Sequence, residues 1–587
     1  MGNEYFTNPY NFVPLDKKCE RSAISIGKEN HYTGYFSCTL ELLTSLFIPN
    51  TSWDQALCGG EERKKQEQDK DRQIGYEFFS YEDLLQRKNE LEGEYTRAPL
   101  NPVIPGSEIR GAVRSVYEAA FNGCMPVISG KIEKVKKADL KKPFKGTLKK
   151  DKNTWIIVSP VEKNGRICVS DDEFNCFKKY LQRYYISQYG RNNTDVDWHP
   201  DRLGRKPVEV KYYKYEERPL FISPASIRED IYAKELELLL SQNGGYQPCG
   251  SADKLCSACK VFGMVSKEEK GKAAIGSRVR FTDALLPEPL KEEDLKTFYG
   301  EPVILPVTGT PNPDTVEFYT ISPYDKKQEK QLTEKGYWSY RYVTVKNNQR
   351  VEHNMLPPDL PKIRGRKFYW HSDNWSQKLK EREEKKEEKK HNSAMQIRIR
   401  PISAQTAGCD KAFHFRIYFE RLTEEELSRL KWSIDFDDED CAHKIGHGKP
   451  FGLGSVKIHI DEMITVQSIP ETGKMKTIQT DYHNLCDVIT SQNKNVIAAL
   501  KIMTNWKKRP KDVSYPKIED RSQKNAVGTG TDHESRAYEW FQANRKGKDF
   551  NEKPMSFCKV LPSPEEEISG DVAKKLPIWS IQPDGTR

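Results

Sequence analysis

FHFRIYFERLTEEELSRLKWSI, residues 413–434, changes its apolar period in the middle and thereby decides the fold. Phe413, Phe415, Ile417 and Phe419 alternate with His414, Arg416 and Tyr418, the two-residue period of a strand with one buried face. From Thr423 the apolar residues move to helical spacing, with Leu427, Leu430 and Ile434 turned inward. Thr423 and Glu426 form a capping box, each side chain accepting the other residue's backbone N–H. A strand running straight into an amphipathic helix belongs in a mixed α and β domain.

Outward from this stretch, GHGKPFGLGSVKIHI (446–460) is a glycine-rich loop entering a strand. Gly446, Gly448, Gly452 and Gly454 carry no Cβ, so another backbone, a phosphate chain included, can approach closely. The plain alternative is a flexible helix-to-strand turn. Lys449 precedes the later glycines, so the loop is not a P-loop, and no strand precedes it in dinucleotide-binding register. Upstream, Tyr35–Ile48 reads as a strand, with Phe36, Cys38, Leu40 and Leu42 on one face and Pro49 as its stop. In NPVIPGSEIRGAVRSVYEAAF (101–121) Pro105 and Gly106 make a turn and Ser107 is placed as the N-cap. Ile109, Ala112, Val113, Val116, Tyr117, Ala120 and Phe121 form the apolar stripe, with Arg110 and Arg114 off it. Ser277–Ala284 (SRVRFTDA) is a further strand. The order strand, helix, strand, strand, helix, glycine loop, strand predicts an α+β fold, a ferredoxin-like (RRM-like) βαββαβ core split by insertions.

The 587 residues would fill three or four domains at roughly 100–200 residues each. With 36% hydrophobic and 31% charged residues and a mean hydropathy of -0.79, one decorated domain fits better. The expected division is a first core half (1–124), a basic and aromatic insertion (125–248), a cysteine motif with a core strand (249–300), a second insertion (301–396), a second core half (397–465) and a C-terminal extension (466–587). The first insertion carries the basic run 127–152, then RYYISQYGR and KYYKYEER. It reads equally as a solvated surface and as an RNA-contacting arm. The second holds RGRKFYWHSDNW (364–375) and the mixed-charge run KLKEREEKKEEKK (378–390), an exposed helix or linker. The charged loop at 51–75 buries little. Residues 461–587 show little pattern, and there is no internal repeat.

A formal charge of +9 from 95 basic and 86 acidic residues excludes a polycation but leaves room for local basic tracks. The 28 Tyr suit base stacking as well as core packing. No run approaches the ~18 apolar residues of a membrane span. The N-terminus lacks a signal-peptide core, and Phe6 stands where a myristoylation signal needs Ser or Thr. The 13 scattered Cys lack the density of a disulfide scaffold. A cytoplasmic protein with reduced or metal-bound thiols is expected.

Cys249, Cys256 and Cys259 are spaced C-x6-C-x2-C, which suits tetrahedral zinc once a fourth ligand is supplied. Cys124, Cys168, Cys176 and His199 are the candidates, and free thiols in a turn are the alternative. No HD pair, GGDD motif or Ser/His/Asp grouping is present.

Five segments in order, IPGSEIRGAVRS (104–115), LCSACKVFG (255–263), SRVRFTDA (277–284), LTEEELSRLKW (422–432) and GHGKPFGLGS (446–455), resemble signature segments of the RAMP superfamily of type III CRISPR systems. YNFVPL (10–15) and RGRKFYW (364–370) look like a particular long RAMP group found beside type III effector genes. The resemblance implies a backbone subunit that binds guide (CRISPR) RNA and target RNA beside other RAMP subunits in antiviral defence, away from any membrane. It implies RNA contacts at Ser107, Arg110, Arg114, Lys449, Gly452 and Gly454, and zinc near the cysteine motif. Some relatives cut target RNA with one Asp and a divalent metal such as magnesium. The corresponding loop here offers Asp54, Asp69, Asp71 and Asp83, none in the expected short context. The alternatives are a stand-alone metal-dependent endoribonuclease of CRISPR RNA processing and a zinc-stabilised interaction protein.

Overall fold

A computed structural model describes residues 5–16, 18–24, 31–51, 74–82, 100–127, 135–139, 144–159, 165–171, 174–175, 177–178, 181, 203, 206–215, 218–224, 227–231, 240–241, 243–266, 273–305, 316–321, 343–346, 349–352, 362–373, 397–403, 412–468, 472–516, 518–520, 540–541, 544 and 559–581. Asp54, Asp69, Asp71, Asp83, Cys176 and His199 lie outside the described residues, as do RYYISQYGR, the run 378–390 and nearly all of the charged loop at 51–75. The fold is mixed α and β. It divides into two compact units, one of residues 1–127, 243–310 and 364–587, the other of 128–242 and 311–363.

The first unit is built on β1 (His31–Leu42), α1 (Gly106–Ala120), β2 (Val279–Phe281), β3 (Phe413–Thr423), α2 (Glu424–Asp435), β4 (His443–Lys444), β5 (Ser455–Ser468) and β6 (Met475–Thr480). One sheet runs β2-β3-β1-β5-β4, with β6 on the far half of β5, and every neighbouring pair is antiparallel. β1 lies at its centre. Phe36, Cys38 and Leu40 are fully buried and alternate with partly exposed residues, as the two-residue period requires. Phe36 meets Phe419 of β3 at 5.1 Å between ring centroids. Across the helices, Phe121 at the end of α1 meets Trp432 of α2 at 5.6 Å.

β1 ends at Leu42, six residues short of the expected stop at Ile48. The N–H groups of Leu43 and Thr44 both turn to the Ser455 carbonyl (2.9 and 3.2 Å), and Leu46 exchanges hydrogen bonds with Ile402. Leu46, Phe47 and Ile48 therefore stay buried after the chain has left the ladder. Ser107 is not the N-cap of α1. Pro105 holds that position in an extended conformation, the helix starts at Gly106, and Ser107 is exposed in the first turn. The Asp283 carboxylate accepts the Gly106 N–H instead (2.7 Å). Glycine is required at 106 because a Cβ there would come within 2.7 Å of the Thr282 carbonyl oxygen. The capping box of α2 forms as read, with Glu426 N–H to Thr423 Oγ1 at 3.2 Å and Thr423 N–H to Glu426 Oε2 at 3.1 Å.

Two remote stretches join this unit. Tyr10–Val13 pairs antiparallel with Arg366–Tyr369, so YNFVPL and RGRKFYW are neighbours in space. Lys494–Thr504 is a helix, although the C-terminal region reads as unpatterned. Val496, Leu500 and Met503, at four- and three-residue spacing, are among its buried residues together with Ile497 and Ala499, a signal present in VIAALKIM.

The second unit contains a five-stranded sheet in the order Arg218–Ser223, Val208–Tyr215, Phe144–Asp151, Thr154–Val158, Arg166–Val169, antiparallel throughout. Leu148, Ile157, Ile167, Val210 and Tyr212 fill its core, and Trp155 stacks on Phe174 at 4.1 Å. Tyr212 of the KYYKY run is thus core material, while Lys145 and Lys150 face outward.

Thr423→Ala should cost about 1 kcal/mol, because the Glu426 N–H loses its acceptor at a helix start. Ser107→Ala should leave the urea midpoint unchanged. An equal loss at Ser107 would place the start of α1 elsewhere.

Candidate functional site

α1 ends where Asn122 takes a left-handed conformation (φ 57°), and the chain turns through Gly123 to Cys124. Opposite, Cys256 is the N-cap of the short helix Ser257–Phe262 and its sulfur accepts the Cys259 N–H (3.4 Å). These turns bring Cys124, Cys249, Cys256 and Cys259 together, all buried, with their four sulfurs within 4.8 Å of one another. All four are free thiols, and the Cys124 and Cys259 sulfurs stand 3.6 Å apart. Sulfurs held at ~2.3 Å around a tetrahedral ion lie ~3.8 Å from each other, so this spacing already matches.

Hydrogen-bond donors converge on the sulfurs. The Cys124 N–H points at Cys256 Sγ (3.2 Å), the Cys256 N–H at Cys249 Sγ (3.3 Å), and Arg114 Nη2 at Cys259 Sγ (3.9 Å). Hydrogen bonds from Cys124 and then Cys19 push the Cys256 thiol far down, and the same sulfur network holds Cys124 and Cys259 up, so the negative charge settles first on Cys256. Cys19 is a buried fifth cysteine beside Cys256, which the sequence motif does not announce. Four buried sulfurs at tetrahedral spacing with N–H donors fit a soft divalent ion. Of the two proposed fourth ligands among the described residues, Cys124 joins the motif. Cys168 is an exposed residue of the second unit.

The two arginines of α1 serve this neighbourhood. Both guanidinium groups lie over the Phe262 ring, at 5.7 Å for Arg110 and 5.8 Å for Arg114. Arg110 Nη2 donates to the Phe262 carbonyl (2.6 Å). Arg114 Nε donates to Glu118 Oε1 (2.7 Å), and Arg366 reaches the other carboxylate oxygen at 3.4 Å. Arg366 also donates to the carbonyls of Gly123 and Cys124, fixing the turn that carries the cysteine.

The glycine-rich loop forms a second locus. Gly446, Gly448, Gly452 and Gly454 all have positive φ, between 69° and 99°. A Cβ on Gly452 would come within 2.6 Å of the Ser372 carbonyl oxygen, and one on Gly454 would run into the Ile445 carbonyl. The protein's own backbone therefore demands these glycines. Lys444 Nζ bonds the Gly452 and Leu453 carbonyls (3.0 Å each), and Thr44 Oγ1 donates to Gly452 O (2.9 Å). His371, fully buried beneath, spans Ser455 Oγ (2.9 Å) and the Ala442 carbonyl (3.2 Å). Burial lowers the pKa of Lys449, and Glu108 in the first turn of α1 partly offsets this. The loop's lysine thus lies within electrostatic reach of the helix start that carries Ser107. Of the six expected contact residues, Ser107 lies beside Glu108, whose charge reaches Lys449, Arg110 and Arg114 face the cysteine centre, and the two glycines are packed within the loop.

Sequence reasoning missed Glu118, Arg366, Lys444 and His371: Arg366 reaches Glu118 across 248 residues and His371 reaches Ser455 across 84, while Lys444 turns onto loop carbonyls only eight and nine residues on. The RGRKFYWHS segment was singled out, but nothing in its composition shows that it reaches both loci.

A model of the RAMP superfamily matches residues 39–457, and the chain belongs to that superfamily. Its members generally bind CRISPR RNA and act in multi-subunit complexes. No curated protein matches the chain. Among the described residues no helix is long and apolar enough to cross a membrane.

Purified protein is expected to hold about one metal ion per chain by elemental analysis, released by Cys124→Ser and retained by Cys168→Ser. Chelation should lower the melting temperature of the parent. Retention of the ion by Cys124→Ser would remove that residue from the ligand set.

Proposed function

We propose that this chain is a guide-RNA-binding backbone subunit of a type III CRISPR effector complex, acting in antiviral defence from the cytoplasm. The observation that carries the reading is Lys449 beside the first turn of α1. The two segments that most resemble RNA-facing elements of the family lie far apart in sequence and come within electrostatic reach of each other there. A helix start supplies N–H dipoles and the lysine supplies charge, a combination suited to a phosphate backbone. The strand order β2-β3-β1-β5 with two helices supports a ferredoxin-like βαββαβ core, because it is the order of a split βαβ unit.

Zinc is the metal we assign to the four cysteines, in a structural role. When bound it supplies a closed tetrahedral node with no open position for chemistry. Cys124 ties the end of α1 to the Cys249–Cys259 segment, and Arg114 balances part of the thiolate charge. The partners proposed are guide and target RNA and other RAMP subunits.

The subunit is read as non-catalytic. Magnesium-dependent cutting of a complementary RNA that vanishes on Asp→Ala at one of Asp54, Asp69, Asp71 or Asp83 would add target cleavage to its role. Cutting of guide precursor by the purified chain alone would favour the stand-alone endoribonuclease.

RNA should copurify with the chain, and Lys449→Ala should weaken guide binding without lowering the melting temperature. The slope of log affinity against log salt should fall by roughly one unit, the share of one phosphate contact. Gly452→Val cannot serve as this test, since its side chain would strike Ser372 and unfold the loop. An unchanged salt slope for Lys449→Ala, or a purified chain free of RNA, would overturn the reading.

A further inference from the structure

Before the stretch that matches the family, residues 19–22 run along the segment that carries three of the four clustered cysteines. The Ser22 N–H donates to the Leu255 carbonyl and the Leu255 N–H donates back to Ser22, both at 3.0 Å. The Cys19 N–H donates to the Gly244 carbonyl (2.8 Å), and Lys260 Nζ reaches Ser22 Oγ (2.6 Å). These bonds zip a short strap onto 244–260. Its side chains go to the sulfurs. Arg21 Nη2 donates to the carbonyls of Gly245 and Gln247 (2.8 and 2.5 Å), on the approach to Cys249. The guanidinium also hydrogen-bonds the Cys249 side chain, and its remaining electrostatic partners are Cys19 and Cys124. Arg21 Nε is closed to solvent and has no partner of good geometry. The buried Cys19 side chain hydrogen-bonds Cys256.

The strap answers a charge problem at the metal centre. Four thiolates around a divalent ion leave two net negative charges in a buried place. Buried charge is tolerated only when it is paired or hydrogen-bonded. Arg114, Arg366 and Glu118 together bring one net positive charge from the side of α1. Arg21 brings a second from the strap. Cys19 is not a fifth ligand, because the set of sulfurs within 4.8 Å of one another closes without it, and a structural zinc site is complete at four. Its thiol is a neutral donor to Cys256.

We infer that Arg21 and Cys19 are positioning residues of the metal centre, hydrogen-bonding the Cys249 and Cys256 thiolates and so coupling the docking of the strap to the loading of the ion. The inference rests on the zinc reading given above. Such coupling is reciprocal: the factor that the docked strap adds to metal affinity is the factor that the bound ion adds to docking. Donors of this kind behind metal ligands are worth roughly 10–100-fold in affinity.

The probe is zinc itself, partitioned between the full-length protein and a chromophoric chelator. Arg21→Gln and Cys19→Ala should each hold zinc roughly 10–100-fold more weakly than the parent. Cys19→Ser keeps a donor beside Cys256 and should restore most of the affinity. Neither a packing role nor a ligand role for Cys19 predicts that rescue, since Ser and Ala fill space alike and Ser is a poor zinc ligand. Ser22→Ala removes the exposed bond to Lys260 without touching a sulfur donor, and should leave zinc affinity unchanged. Amide hydrogen exchange reads the reciprocal half. Chelating zinc from the parent should speed exchange at Ser22 and Leu255, and the same treatment should change Arg21→Gln less. Unchanged zinc affinity in Arg21→Gln and Cys19→Ala, equal losses in Cys19→Ser and Cys19→Ala, or Ser22 exchange indifferent to zinc would overturn the inference and leave the cysteine centre standing. A parent that takes up no zinc would overturn the metal reading and this inference together.

Discussion

Where α1 ends in the first unit is fixed by one buried carboxylate. Glu118, 7% exposed, grips Arg114 from its own helix and Arg366 from a strand 248 residues away. Arg114 goes on to the Cys259 sulfur, and Arg366 to the carbonyls of Gly123 and Cys124. A buried ion triad of this kind adds little net stability over an apolar core, but losing one member strands the others at about 3–5 kcal/mol. Its worth is geometric: it fixes where α1 ends, which in turn sets the position of Cys124. The cysteine centre and the pairing of the N-terminal strand with Arg366–Tyr369 both depend on that placement.

The core elements were legible because their causes are local. The two-residue period of β3, the capping box at Thr423 and Glu426, and the apolar stripe of α1 each lie within a few residues. The misreadings are equally physical. Ser107 looked like a cap because Ser is a good one, yet the acceptor came from Asp283, and no local pattern shows a side chain arriving from 177 residues away. The strand at Tyr35 was carried to Ile48 because its last residues are apolar. They are indeed buried, but on irregular backbone. The helix at Lys494 had a readable signal that the polar flanks obscured.

The metal centre shows the same division. C-x6-C-x2-C declares three ligands from sequence because one short helix and its approach supply them. Cys124 could be ranked only when the turn after α1 was seen to fold back over that helix. The glycine-rich loop instructs differently. Its glycines invited a ligand-centred explanation, while the closest atoms to their missing side chains belong to Ser372, Ile445, Phe47 and Leu453. Whatever the loop contacts outside, the inside already requires glycine, so Lys449 is the position that reports on a ligand alone.

The central place of β1 has a consequence for how the chain is made. Thr39 meets His414 on one side and Asp461 on the other, partners 375 and 422 residues downstream. At roughly 5–20 residues per second of synthesis, the strand waits on the order of 20–80 s with both edges unpaired. Exposed apolar strand edges are templates for wrong pairing during that interval. The nascent chain therefore carries β1 open to wrong pairing until more than two thirds of it has been made, and a binder that shields β1 during translation should raise the yield of folded chain.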